Sequence, residues 1–298
     1  MTRHERAKTP FKPWMIGLLL IAVIAYYLLS PGGKIFSGGT GDAPDADRQE
    51  LLVCFLDVGQ GDCFYLRQGE AEMLIDTGPP EAAAAVIDFL DARPEQELDV
   101  VVLTHAHADH IGNAPSVLNR YPVGTVYMPD DTSTTRTYEK TLNAIEKNRL
   151  PLREAKAGVT FTLGEARAEF VGPVVCGDDS NNNSAVLRVT FGDTAFLFTA
   201  DAKVEEENDI LASGADLRAD VLKIGHHGSY SSTSPDFFQA VRPQTAVISL
   251  GADNDYGYPH RETMALLREA DIPVYRTDEN GSIYMVSDGK TVTVTTTR

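Results

Sequence analysis

The stretch that decides the fold is VVLTHAHADHIGNAP, Val101 to Pro115. Three of the chain's seven histidines and an aspartate fall between positions 105 and 110, directly after four apolar or β-branched residues. LDVVVLT, residues 98–104, reads as a buried strand, so the cluster lies in the loop at its C-terminal end. On an extended segment His105 and His107 point the same way, because the side-chain period of a strand is two. Their imidazoles can then hold one ion, while Asp109 and His110, where DHIGNAP turns into the next helix, can reach a second. Imidazole nitrogen with carboxylate oxygen suits zinc, and also manganese or iron. A single loop histidine is ordinarily a solvated side chain. Three of them with an interposed aspartate, straight after a buried strand, predict a metal site.

Working outward, LLVCFLDV, CFYLRQ and AEMLID are three β runs separated by GQGD and QGE turns, and PEAAAAVIDFLDA follows as a helix. Beyond the histidine loop come a short helix, the strand VGTVYMP, a helix over residues 138–148, and strands at GVTFTL and ARAEFVG. From Ser184 the logic repeats. SAVLRVTF and TAFLFTAD are strands, AKVEEENDILAS is a helix, and ADVLKIGHHG is a strand ending in a loop with histidines. SPDFFQAV and HRETMALLREA read as helices around the strand TAVISLG, and SIYMVS and TVTVTT are the closing strands. Strand hairpins alternating with αβ units, twice over, predict an α/β (α+β) chain of two packed sheets flanked by helices. Sites in such folds gather at strand ends.

The N-terminus differs in character. Residues 1–13 carry four basic side chains (Arg3, Arg6, Lys8, Lys12) against Glu5, which leaves 22 basic and 42 acidic residues in the rest of the chain. Residues 14–30, WMIGLLLIAVIAYYLLS, hold no charge and are apolar almost throughout. Seventeen residues are at the short end for a membrane span. The basic cluster before them, with Trp14 at one edge and Tyr26 and Tyr27 at the other, predicts an anchor whose N-terminus is cytoplasmic. YYLLSPGGK offers no small-x-small cleavage site, so the segment is expected to stay as a single-pass anchor with the body outside the cytoplasmic membrane. Residues 31–49, rich in Gly, Pro and Asp, read as a flexible linker, and 50–298 as the folded domain. An acidic body repels nucleic acid at long range, so tight non-specific DNA binding is not expected. Cys54, Cys63 and Cys176 match no zinc spacing. Cys54 and Cys63 read either as a cross-hairpin pair or as buried free thiols.

THAHADHIGN resembles the HxHxDH signature of the metallo-β-lactamase fold. With FLDVGQGDCFYL, MLIDTG, NNNSAVLRVTFGDTAFLFTAD and LKIGHHGSYSSTS, in the family's order from about Leu51 to Ser287, the chain resembles the soluble domain of ComEC-type DNA-uptake proteins. The resemblance implies a four-layer αββα sandwich and two divalent ions, zinc above all, with manganese or iron as alternatives. His105 and His107 would bind the first ion, and Asp109 and His110 the second. Asp201, in FTAD, would bridge them, and Asp76, in IDTG, would orient ligands. His226 or His227 of HHGS would complete the second site, its neighbour facing substrate, since adjacent residues on a strand point oppositely. His260, in YGYPHRE, matches the branch's last histidine, near the substrate. ComEC proper carries a multi-helix channel region, whereas this chain has one hydrophobic span. The wider superfamily often has another histidine between HxHxDH and the bridging aspartate. Here SNNNSAV stands in that place, so Asn183, Ser184 or water is expected to fill the position.

Two ions lower the pKa of a bound water and give hydroxide near neutral pH. A carboxylate at Asp201 and the hydroxyls of Ser229, Ser231 and Ser232 favour phosphodiesters, and ComEC-type domains are associated with degrading one DNA strand. The expectation is therefore a phosphodiesterase or nuclease acting on DNA or a cell-surface polymer. Metal-hydroxide attack would be followed by leaving-group protonation from His226, His227 or His260. The alternatives are a hydrolase of lactones, thioesters or β-lactams, and a non-enzymatic metal-binding surface protein.

Overall fold

Residues alternate sides along the first strand of the folded domain: Leu51, Val53 and Phe55 face one core while Leu52 and Cys54 face another, and all five are buried. That is the period-two pattern of a strand covered on both faces. The computed structural model describes residues 38–40, 46–93 and 97–298. The basic N-terminus, the apolar segment 14–30 and most of the 31–49 linker lie outside the described residues. Among the described residues no helix is long and apolar enough to cross a membrane.

Sixteen strands are described: Gly38–Thr40 (β1), Leu51–Phe55 (β2), Phe64–Gln68 (β3), Ala71–Ile75 (β4), Leu98–Val102 (β5), Val123–Met128 (β6), Leu152–Glu154 (β7), Thr160–Leu163 (β8), Ala166–Gly172 (β9), Val186–Phe191 (β10), Thr194–Phe198 (β11), Val221–Lys223 (β12), Thr245–Ile248 (β13), Val274–Arg276 (β14), Ile283–Ser287 (β15) and Val292–Thr296 (β16). They form a nine-stranded sheet ordered β1-β16-β15-β2-β3-β4-β5-β6-β7 and a seven-stranded sheet ordered β14-β13-β12-β11-β10-β9-β8. In each half an antiparallel meander passes into parallel strands, at β4-β5-β6-β7 and at β11-β12-β13-β14. The α-helices are Ala83–Asp91 (α1), Ala108–Ile111 (α2), Ala114–Arg120 (α3), Arg136–Asn148 (α4), Val204–Ser213 (α5), Pro235–Val241 (α6), Arg261–Ala270 (α7) and Thr277–Asn280 (α8).

Three apolar cores make four layers. The middle one lies between the sheets, where Phe55 and Phe64 meet Phe198 with ring centroids 5.8 and 5.6 Å apart. The second packs α1, α3 and α4 on the outer face of the larger sheet, and the third packs α5, α6 and α7 on the smaller one. This is the αββα sandwich. Cys54 and Cys63 both lie in the second core as free thiols. Burial pushes Cys54 up to about 12 and Cys63 well above its ordinary value, so neither is a thiolate at neutral pH.

One expected boundary moves for a local reason. Thr135 accepts a hydrogen bond from Tyr138 N at 3.3 Å, a side-chain cap that starts α4 at Arg136 rather than Tyr138. The strand of ADVLKIGHHG ends at Lys223, and the histidines fall in the loop after it as expected, where His226 (φ 49°) and His227 (φ 54°) are left-handed and turn the chain.

Candidate metal centre

Every sequence-predicted ligand follows a strand whose C-terminal end meets its parallel neighbours. Asp76 follows β4, residues 105–110 follow β5, Asp201 follows β11, and His226 and His227 follow β12. Asp76 is held in the left-handed region (φ 58°) by its N–H bond to Val102 O at 2.8 Å, which turns its carboxylate beneath the histidine loop. Its Oδ1 accepts from Thr104 N at 2.8 Å and its Oδ2 from Thr104 Oγ1 at 2.6 Å. The same Oδ2 is 2.8 Å from His110 Nδ1. The His110 Nδ1–H therefore points at a carboxylate, which leaves the lone pair of Nε2 facing the site. Thr104 Oγ1, having given its proton to Asp76, is free to accept from His105 Nδ1 at 3.2 Å, and His105 Nε2 is likewise turned outward.

His105 Nε2 and His107 Nδ1 lie 3.0 Å apart, as two donors to a common point do. With Asp201 they form one ligand group, and Asp109, His110, Asp201 and His227 form a second. Asp201 belongs to both. Its Oδ1 is 3.4 Å from His110 Nε2 and 3.5 Å from His227 Nε2, whereas its Oδ2 is 3.9 Å from His105 Nε2. Asp109 Oδ2 closes the second group at 3.3 Å from His227 Nε2. His227 gives its Nδ1–H to Ser249 O at 2.8 Å, so its Nε2 also presents a lone pair.

The fit to cations shows in what these atoms lack. His110 Nε2, His227 Nε2 and Asp201 Oδ1 are buried and have no hydrogen-bond partner among the described residues. Buried polar atoms are rarely left so, and a convergent set without partners is what a cation would satisfy. Electrostatics agree. Burial disfavours charge on His110, yet Asp201, Asp76 and Asp109 push it well above its ordinary value. Asp201 and Asp62 raise His227 against the same burial. Against burial, His227 and His110 hold the Asp201 carboxyl well below its usual range, and His110 and His227 do the same for Asp109. The carboxylates thus draw positive charge toward the nitrogens of His110 and His227.

A cleft of about 340 Å³ opens above, lined by Gln60, His107, Asp109, Asn181, His226 and Tyr258 among others. His226 stands outside both ligand groups and faces this cleft. Its Nε2 is 3.6 Å from Asp201 Oδ2 and 3.4 Å from the Tyr258 hydroxyl. Burial holds its proton affinity below the ordinary histidine value. His260 is one ring further out, edge-on to Tyr258 at 5.0 Å, and its Nδ1 accepts from Tyr230 N at 3.1 Å. A second cleft of about 400 Å³ at Met128, Asp131, Tyr138 and Arg153 gathers no convergent ligand set.

Both residues expected in place of the missing histidine are held by hydrogen bonds. Asn183 Nδ2 donates to Asp131 Oδ1 at 2.9 Å and its Oδ1 accepts from Gly177 N at 2.7 Å. Ser184 Oγ accepts from Asp201 N at 3.2 Å. Four further residues escaped the sequence reading. Lys223 and Asp62 form a buried ion pair at 2.6 Å directly under Asp201, and Lys223 Nζ also donates to Ala200 O at 3.0 Å. Gly61 lets the chain approach Asp109: a Cβ there would stand 2.2 Å from Asp109 O, which accepts from Asp62 N at 3.2 Å. Asp131 Oδ2 accepts from Ala106 N at 3.1 Å and from Ser180 Oγ at 2.6 Å, tying the histidine loop to the asparagine run. The available signal was Lys223, a lysine between apolar residues of a strand buried on both faces.

Residues 56–252 match the family model of the metallo-beta-lactamase superfamily. The chain is 33% identical over 250 residues to ComE operon protein 3 of Bacillus subtilis (strain 168), covering 78% of this chain and 32% of that protein. It is 32% identical over 279 residues to Competence protein ComA of Neisseria gonorrhoeae, covering 89% and 38%. The chain thus spans about a third of the length of these relatives. In structure it resembles the metallo-beta-lactamase fold protein YhfI from Bacillus subtilis, with a TM-score of 0.54 and 14% identity over 78% of this chain and 98% of the other. At that identity the likeness is one of fold.

Proposed function

The chain belongs to the metallo-β-lactamase superfamily of metal-dependent hydrolases, and on that premise we propose that it is a two-metal phosphodiesterase working outside the cytoplasmic membrane. One observation carries the reading: the two oxygens of Asp201 are divided between His110 and His227 on one side and His105 on the other. A carboxylate so placed suits a pair of ions rather than one. Divalent ions there would supply Lewis acidity toward a phosphoryl oxygen and an activated water.

The chain's own residues do the rest. Asp76, Thr104 and Ser249 fix the tautomers of His110, His105 and His227, so the ligand atoms are aimed before substrate arrives. His226 is suited to pass a proton to the leaving oxygen, since its depressed proton affinity makes the protonated ring a ready acid. Tyr258 orients that ring. His227 is not suited to the task, because its Nδ1–H is held by Ser249 O and its Nε2 would be a ligand to the second ion. The apolar segment 14–30 is read as the anchor, and DNA or a cell-surface phosphodiester as the substrate. Similarity to competence proteins favours DNA, and the acidic body argues against tight sequence-independent binding of it.

The test is metal content and hydrolysis of bis-p-nitrophenyl phosphate by the full-length chain in detergent, beside nitrocefin and acyl-lactones. Two ions per chain and phosphodiester cleavage lost in Asp109→Ala are expected. Two ions with turnover of carbonyl substrates alone would replace this reading with the lactonase, thioesterase or β-lactamase alternative.

A further inference from the structure

The first ligand group contains only His105, His107 and Asp201, one donor fewer than the second. We infer that Asn181 completes it through its side-chain oxygen; the inference rests on the two-ion reading above.

Elimination along the run 180–184 leads there. Ser180 Oγ is spent on Asp131, Asn182 Oδ1 on Lys203 N at 3.1 Å, Asn183 on Asp131 and Gly177, and Ser184 Oγ on Asp201 N. Of the side-chain oxygens in this run, that of Asn181 alone takes part in no hydrogen bond among the described residues. Its Oδ1 is screened from solvent and accepts no hydrogen bond among the described residues, although Asn181 is only 8% exposed. A buried amide oxygen with no donor near it is costly unless a cation or a ligand satisfies it. Asn181 also lines the cleft beside His107, Asp109, Asp201 and His226.

Its neighbours say which group it serves. Asp131 binds Ser180 on one side of Asn181 and Asn183 on the other, and also holds Ala106 N, between His105 and His107. The asparagine is therefore pinned against the turn that carries the first pair of histidines. An amide oxygen is a harder donor than the imidazole it replaces, and it carries no charge. Each group then offers two imidazoles and two oxygens, but the first holds one carboxylate fewer than the second and so binds its ion less tightly. The two ions are bound unequally.

The experiment titrates the metal-free, full-length chain with Mn²⁺ and separately with Zn²⁺, following Mn²⁺ by electron paramagnetic resonance and both by calorimetry. Two unequal classes of site are expected. Asn181→Leu is expected to weaken one class at least tenfold and leave the other within about twofold. Asn181→Asp, which keeps the oxygen, is expected to restore it, and Asn181→His to shift that class toward Zn²⁺. Thermal melts of the metal-free variants report on folding. Unchanged binding of both classes in Asn181→Leu would overturn the assignment. So would equal weakening of both, which would mark Asn181 as part of the scaffold. A wild-type chain binding fewer than two ions would overturn the two-ion reading itself, before any variant is compared.

Discussion

Lys223 Nζ lies 2.6 Å from Asp62 Oδ2, and neither side chain is exposed to solvent. The pair joins the first half of the fold, where Asp62 follows β2, to the second, where Lys223 ends β12. It also sits under Asp201, whose Oδ1 is 4.0 Å from the ammonium. Removing one partner leaves the other charged and buried, which costs about 3–5 kcal/mol. Lys223→Met is therefore expected to lose stability on that scale in urea unfolding. Because Lys223 Nζ also holds the carbonyl of Ala200, which has a left-handed φ of 44°, Asp201 should be displaced and metal retention should fall too. In the double variant Asp62→Leu, Lys223→Met the stability losses should be less than additive. Strict additivity would show that the two do not act as a pair.

Asp76 acts on the ligands without joining the two groups that share Asp201. It receives His110 Nδ1 and two bonds from Thr104, and so decides which way two imidazoles face. Asp76→Asn can offer an N–H where the histidine needs an acceptor. Loss of such a partner typically lowers metal affinity about 10–100-fold. Competition with a chromogenic chelator should show that drop with the fold intact. An affinity equal to wild type would mean that the tautomer of His110 is set elsewhere.

The raised proton affinities of His110 and His227 give a pH dependence with a definite sign. Both rings must be neutral to ligate, so binding displaces their protons. Apparent metal affinity should climb with pH until those protons are gone, and calorimetry in buffers of different ionisation enthalpy should report net proton release. The metal-free protein shows the converse. A histidine whose folded pKa is raised contributes stability that is complete below its unfolded value of about 6.5 and is lost as pH rises through the folded one. Metal-free chain should therefore melt lower at alkaline pH, and added ions should restore it most there. Proton uptake on binding would contradict the assignment.

The metal loop was legible because its ligands are packed into six positions of sequence and follow a strand with a plain apolar signature. Asp201 and the HHGS pair were legible for the same reason, as polar residues at strand ends. What sequence could not supply was the partner of each. Asp62 and Lys223 are 161 positions apart, and Asp131 and Asn183 are 52 apart, so their pairing depends on how the two sheets and their loops meet. The same limit left Asn183, Ser184 and water together as candidates for the missing ligand. Side chains of a polar run are indistinguishable until their neighbours claim them. That the loop after Lys223 turns on two left-handed histidines leaves no trace in hydrophobic pattern.

Asp131 makes a last prediction, since one carboxylate holds two loops. Its Oδ2 accepts from Ala106 N in the histidine loop and its Oδ1 from Asn183 Nδ2 in the asparagine run, with Ser180 Oγ and Thr132 N completing the set. Alanine there strands several donors, of which Ala106 N and Asn183 Nδ2 lie in buried surroundings. Each unsatisfied buried group costs about 1–3 kcal/mol, so Asp131→Ala should be clearly destabilised. The more telling readout is local. Hydrogen exchange should quicken together at residues 104–107 and 180–184, two segments far apart in sequence, while β10 and β11 keep their protection. Faster exchange in one segment alone would mean that the loops are held independently, and that the carboxylate does not set the distance between the first pair of histidines and the asparagine run.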